Sequence, residues 1–236
     1  MTRYDIAKAH AKNRTQIRKA ITQLNRSLNQ AIKDNNKELE KANVRMIMIL
    51  YAAYLESTLS YLLYFYGAQI KMVSVDYIIE KKTVHERWCH FIDFCFRRNF
   101  LGGKRRALTL VNLNHTNFNR YTYLKSMVDN EVRAIIEIRN KLAHGQWAVA
   151  FNSDGDDKNV EVTTRLWTLT KKDVLVTKNI VNKFTEIMDA LISSEEYFSS
   201  IFDDAVGALE ENKVAHEERY NMILNEIKRK KRPLDV

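Results

Sequence analysis

The chain has 236 residues, 45% hydrophobic and 28% charged, an ordinary globular composition that sets aside low-complexity and disordered classes. One proline and six glycines leave long stretches free to be helical, so an all-α fold is expected. The formal net charge of +9 makes a polyanion such as nucleic acid the favoured large partner, without choosing between RNA, DNA and an anionic membrane surface.

From Thr2 to Lys41 the sequence is polar and basic, yet Ile17, Ile21, Leu24, Leu28 and Ile32 keep an apolar line at steps of four, three, four and four. That spacing predicts a helix that needs a partner along one side. Its basic residues are expected to form a solvated face, with direct RNA contact as the alternative. Residues 42–66 are apolar almost all round, as a central bundle helix would be, and Glu56 interrupts them. A carboxylate there is expected either to meet a cation, with Arg133 or Arg139 as candidates, or to point to a bundle edge. Met46 to Tyr66 is long enough to span a bilayer, but Glu56, Ser57, Thr58 and Ser60 lie near its middle. A central carboxylate costs about 2.5 to 3.5 kcal/mol on insertion, so a buried core helix is the expectation. No basic-then-apolar leader opens the chain, and a cytoplasmic protein away from membranes is expected.

Gly67 is expected to end the central helix, and Ser74 to Phe100 reads as one or two further helices around Trp88, Phe91, Phe94 and Phe96. Cys89 and Cys95 fall among these aromatics and read as buried thiols in a reduced compartment. His85, Cys89, His90 and Cys95 match no standard zinc spacing, so core packing is expected and no metal or cofactor. Arg97, Arg98, Lys104, Arg105 and Arg106 then flank the Gly102-Gly103 turn. This basic loop is the first place to look for RNA held outside a catalytic cleft, and a solvated charged loop is the plainer alternative. Residues 111–123 read as a loop or short helix, with His115 solvated.

The most informative stretch is Glu131 to Trp147. Val132, Ile135, Ile136, Leu142 and Ala143 recur at helical spacing, and Gly145 stands where a left-handed C-cap belongs. Arg139 lies inside that apolar stripe, so it should have a partner, reach a cleft, or be covered by a second chain. Arg133, Glu137, Asn140 and His144 form a second, polar line at steps of four, three and four. Arg139 and His144 are roughly 140° apart around a regular helix, so either the helix loosens near Gly145 or two copies supply the groups jointly.

After this helix the period changes. Residues 147–151 and 160–168 look like strands, the second alternating through Val160, Val162, Thr164, Leu166 and Thr168, with a turn over 152–157. A small β-hairpin is therefore expected. The three aspartates of the turn lack the closing glutamate of a calcium loop. Thr170-Lys171-Lys172-Asp173 should open another helix, and a last one should run from about Ser199 to Lys231 into the basic Lys228–Arg232 cluster. The expected organisation is a basic helical extension over 1–41, a helical domain over 42–205, and a C-terminal helix with a basic tail over 206–236.

Arg139-Asn140-Lys141-Leu142-Ala143-His144 resembles the signature of the HEPN superfamily: an arginine, a polar residue directly after it, and a histidine a few positions on. The run from Ala52 to Leu59 is similar to that family's early core helix, in which a glutamate interrupts an apolar stretch. The resemblance spans roughly residues 42–202. It implies a helical bundle that dimerises along the motif helix and, in many members, a metal-independent endoribonuclease leaving 2′,3′-cyclic phosphate ends. His144 would then be general acid or base, Arg139 would hold the phosphate, and Asn140 would orient the pair across the dimer. Glu137, Arg133 and Glu56 would support them, and Lys141 would join the RNA-binding residues. Histidine and arginine suit these tasks, because one titrates near working pH and the other presents a fork that matches phosphate oxygens. The resemblance also implies a defence or toxin setting, with an antitoxin or regulatory protein as partner. Gln146 stands where members silenced by nucleotide transfer carry a tyrosine, which puts that mode of control in doubt. The competing expectation is a HEPN-like RNA-binding or protein-interaction module without catalysis.

Overall fold

Local capping chemistry and one long apolar helix organise the chain. The computed structural model describes residues 1–66, 72–214 and 216–229. Among them are ten α-helices and one π-helical turn, and no strand. α1 (Arg3–Lys33) begins in a capping box in which the Thr2 hydroxyl accepts from Asp5 N at 3.2 Å and the Asp5 carboxylate accepts from Thr2 N at 2.9 Å. It ends in a left-handed residue, Asn35 at φ 54°, with Asn36 N donating to Ala31 O at 2.9 Å. Asn36 at once caps α2 (Lys37–Phe65) by accepting from Leu39 N.

The two long helices therefore lie antiparallel. Ile21, Leu28 and Ile32 of the predicted apolar line are buried, with Ile17 and Leu24 packed against the same core. The N-terminal helix has found its partner in α2. Buried Asn43 bonds Ser27 Oγ at 3.0 Å across the pair, and the boundary suggested at 41/42 falls inside α2.

α2 is the central element, packed by α1, α6 (Arg133–Ala143) and α8 (Lys171–Ser193), with Ile47, Met48, Leu55, Leu59, Leu62 and Leu63 inside the core. By length and composition alone it could cross a membrane, and 56% of its most apolar window is buried in the bundle. It ends at Phe65 with Tyr66 as C-cap, so the expectation for Gly67 lies outside the described residues.

α3 (Met72–Ile79) and α4 (Val84–Phe100) follow. The aromatic spacing of α4 is explained by its core face: Trp88 meets Phe91 and, on α8, Phe184 edge-on, while Phe96 meets Tyr121 and Phe198. Cys95 is enclosed there, and burial pushes its thiol up to about 12. Of residues 111–123, loop or short helix in the sequence, 115–123 belong to α5 (His115–Met127), whose N-cap is Asn114. The π-helical turn Val128–Val132 joins it to α6 (Arg133–Ala143).

The expected hairpin is corrected. Residues 160–168 form α7 (Val160–Thr168), with Asn159 as N-cap accepting from Val162 N at 2.9 Å. The alternating residues also contain an i,i+4 pair, Val162 and Leu166, and both are buried, so packing overrides β-propensity. The threonines keep helical company by bonding back one turn, Thr164 to Val160 O and Thr168 to Thr164 O. What survives is the turn: Asn152 Oδ1 accepts from Gly155 N and Asp156 N, and one antiparallel bridge joins Phe151 to Lys158.

α8 (Lys171–Ser193) opens in the expected capping box, Thr170 with Asp173. The expected last helix is helical on both sides of Ala215, which lies outside the described residues, as α9 (Glu195–Val214) and α10 (His216–Arg229), and α10 packs on α1 and α8. Lys228 and Arg229 end α10, and the rest of the basic cluster lies outside the described residues.

Candidate functional site

Of the predicted apolar stripe, Val132, Ile135, Ile136 and Leu142 are buried, with Ile138 beside them, whereas Ala143, in the last turn of α6, is exposed. The helix runs regularly to Ala143 and closes in a Schellman motif. Gly145, at φ 76°, donates to Leu142 O at 3.2 Å and Gln146 N donates to Lys141 O at 2.9 Å. His144 is the C-cap, so the helix does not loosen before it.

Arg139 leaves the stripe to meet the central helix. Its Nη2 donates to Glu56 Oε2 at 2.7 Å, with the two side chains 25% and 42% exposed. The glutamate that interrupts α2 is thus the guanidinium's counter-charge, one of the two partners the sequence allowed for it. The pairing is incomplete: Arg139 Nε is buried and has no hydrogen-bond partner among the described residues.

The polar line on the same helix is bare. Arg133, Asn140 and His144 are exposed and Glu137 is half-buried, and none of these side chains has a partner among the described residues. α6 therefore presents one tethered guanidinium and an unoccupied row ending in an imidazole.

Sequence reasoning missed what lies beneath Glu56. Its carboxylate lines a cavity of about 140 Å³ together with His10, Ser60, Tyr64 and Arg87. His10 stacks on Tyr64 at 6.0 Å, and burial lowers its pKa. Arg87 is held by Lys81 O at 2.9 Å. The available signal was positional: His10 stands seven residues before Ile17 and shares the buried side of α1.

The basic loop divides in two. Arg98 caps α8 through Ile192 O, assisted by Asn99, which donates to Leu191 O at 2.7 Å. Arg97 Nε donates to Arg106 O at 3.3 Å and braces the loop from within. Lys104, Arg105 and Arg106 are exposed, and their side chains have no partner among the described residues. The double glycine is what makes the turn, with Gly102 and Gly103 at φ 59° and 75°. Lys141 is tied down by bonding Phe151 O.

A larger groove of about 700 Å³, also unforeseen, runs between α1, α2 and α8. It is lined by Arg14, Arg18, Tyr54, Tyr61, Lys178 and Asp189. Arg14 lies over Tyr61 at 4.5 Å and Arg18 over Tyr54 at 4.8 Å. Burial raises the Asp189 pKa, against the lowering pull of Arg14. On α2, Tyr54 and Glu56 are two residues apart and about 160° around the helix, so groove and motif lie on opposite faces.

No family model, no curated protein and no solved structure matches this chain. Its functional reading therefore rests on its own residues.

Proposed function

We propose that the chain is a metal-independent endoribonuclease with a HEPN-type bundle, acting as a cytoplasmic homodimer whose two α6 helices face each other. The observation that carries this is the side-chain census of α6. A guanidinium is held in place by Glu56 with its Nε unsatisfied, next to exposed Asn140 and His144 that have no partner among the described residues. A buried donor left unpaired costs about 1–3 kcal/mol, which a phosphate oxygen or a second chain would recover. Because Arg139 and His144 leave a regular helix in different directions, a composite cleft needs both copies.

In that cleft His144 takes the proton from a ribose 2′-hydroxyl or returns one to the departing 5′-oxygen. Arg139 stabilises charge at phosphorus, and Asn140 orients the two. Attack of the 2′-oxygen leaves a 2′,3′-cyclic phosphate. Lys104, Arg105 and Arg106 supply phosphate contacts beyond the cleft. A defence or toxin role, with a protein that neutralises the enzyme, fits this activity.

A second reading has its own support. Arg139 already has a carboxylate partner, as a purely structural arginine would, so the same face would serve a dimeric RNA-binding or protein-interaction module. Labelled RNA incubated with the purified chain in EDTA separates the two. The nuclease gives fragments with cyclic phosphate ends that vanish with His144→Ala and with Arg139→Ala. The module retards RNA without cutting it, and cleavage undiminished in His144→Ala overturns the assignment. Sedimentation as a single 27.7 kDa species at every concentration would count against both dimeric readings.

A further inference from the structure

We propose that His85, Cys89 and Asp129 form a three-ligand site for Zn2+ that clamps α4 to the π-helical turn leading into α6. Asp129 Oδ1 lies 2.7 Å from His85 Nε2, and Cys89 Sγ lies 3.9 Å from the same nitrogen. All three donor atoms fall within 4.8 Å of one another, a convergence of this kind found once among the described residues. It is a different set from the four residues the sequence brings to mind. Cys95 is sealed in the core, and His90 packs edge-on against Tyr77 at 5.3 Å.

His85 and Cys89 are one turn apart on α4, so their side chains lie on one face. Asp129 comes from 44 residues away in sequence, where the π-helical turn adds a residue to the helix and sets its carboxylate against that face. Imidazole nitrogen, thiolate sulfur and carboxylate oxygen form a donor set suited to zinc, and three protein ligands leave a fourth position for water. With zinc bonds of about 2.0–2.3 Å, tetrahedral ligand atoms sit about 3.3–3.6 Å apart. The carboxylate must therefore open from the imidazole nitrogen by about half an ångström, exchanging its hydrogen bond for a bond to metal, and the sulfur must close on the carboxylate by up to about 1.3 Å. Both His85 and Asp129 can adjust, being 26% and 53% exposed.

Charge is balanced by the ligands themselves: a thiolate and a carboxylate offset the dication, and the thiol proton leaves to solvent. Lys125 is the adverse neighbour, donating to Cys89 O at 3.4 Å, and its ammonium is countered by Asp93 at 3.3 Å. Asp129 precedes Arg139 by ten residues, about 15 Å along the helix, so the site is separate from the proposed cleavage centre.

The full chain, freed of metal, is titrated with Co2+ as a spectroscopic substitute and then with Zn2+. One equivalent of Co2+ should raise a sulfur-to-cobalt charge-transfer band with tetrahedral visible bands, and stoichiometric Zn2+ should bleach them. Cys89→Ser should abolish the charge-transfer band. Asp129→Asn, a surface change that leaves the core intact, should weaken Zn2+ binding roughly tenfold or more. Absence of the band, its persistence in Cys89→Ser, or unchanged affinity in Asp129→Asn overturns the site. The Asp129 variant keeps the test decisive should the cysteine variant fold poorly. No cleavage is read, so this proposal and the nuclease reading stand or fall separately.

Discussion

Arg139 on α6 and Glu56 on α2, 83 residues apart in the chain, meet at 2.7 Å between a guanidinium nitrogen and a carboxylate oxygen. The contact ties the motif helix to the central helix and sets the direction in which the guanidinium points. Replacing Glu56 by glutamine should cost on the order of 1 kcal/mol, because both groups retain partial access to water. Urea denaturation measures it, and an Arg139→Met, Glu56→Gln double-mutant cycle should return a coupling of similar size. In the nuclease reading Glu56→Gln also slows cleavage, since the guanidinium loses its anchor.

The His144 side chain is exposed and has no partner among the described residues. His144→Ala should leave stability within about 0.5 kcal/mol of the parent while lowering RNA cleavage by roughly 10²–10⁴-fold, the range of a lost general acid or base. Thermal melting and a single-turnover cleavage assay separate the two effects. A large loss of stability would show that the imidazole supports the fold.

Gly145 terminates α6 at φ 76°, and a Cβ there would meet nothing within 4 Å. Gly145→Ala should therefore cost only the left-handed backbone penalty, about 1–2 kcal/mol, without steric damage. Chemical denaturation reads this directly. Unchanged stability would mean that the helix can end in another way.

His10 gives the fold a pH dependence of known sign. Burial lowers its pKa, so in the interval below about 6.5 the unfolded chain binds a proton that the folded chain does not. Stability therefore rises with pH across that interval and is lost on acidification. Glu56, Tyr64 and Arg87 share its cavity, so His10→Gln, compared with the parent over the same pH range, isolates the imidazole. The difference between the two denaturation curves should flatten above pH 7.

Asp189 acts in the opposite sense. Its raised pKa means that the folded chain holds the proton more readily, so the ionised form is penalised at neutral pH. Asp189→Asn should raise the melting temperature near pH 7, and the gain should shrink as pH falls through the folded pKa. A variant less stable at neutral pH would mean that the Arg14 attraction outweighs burial.

Helix ends and buried faces were legible wherever their cause is local. The Thr170–Asp173 box, Gly145 after Ala143, and the line from Ile17 to Ile32 each specify a geometry through residues within a few turns. Residues 160–168 were misread because alternation and an i,i+4 apolar pair coexist there, and the choice belongs to what the segment packs on. Arg98 looked like a free cation because the carbonyl it caps lies 94 residues away.

Sequence alone thus indicated a mostly helical chain, the position and end of the motif helix, and that Arg139 needs a partner, a cleft or a covering chain. Which carboxylate answers it, that His10 and Arg87 share the cavity beneath, and that His85 and Cys89 find Asp129 were decided by tertiary packing. Capping and amphipathic spacing act within a few residues along the chain. Ion pairs and donor clusters depend on which helix faces meet, and that is set only when the whole core closes.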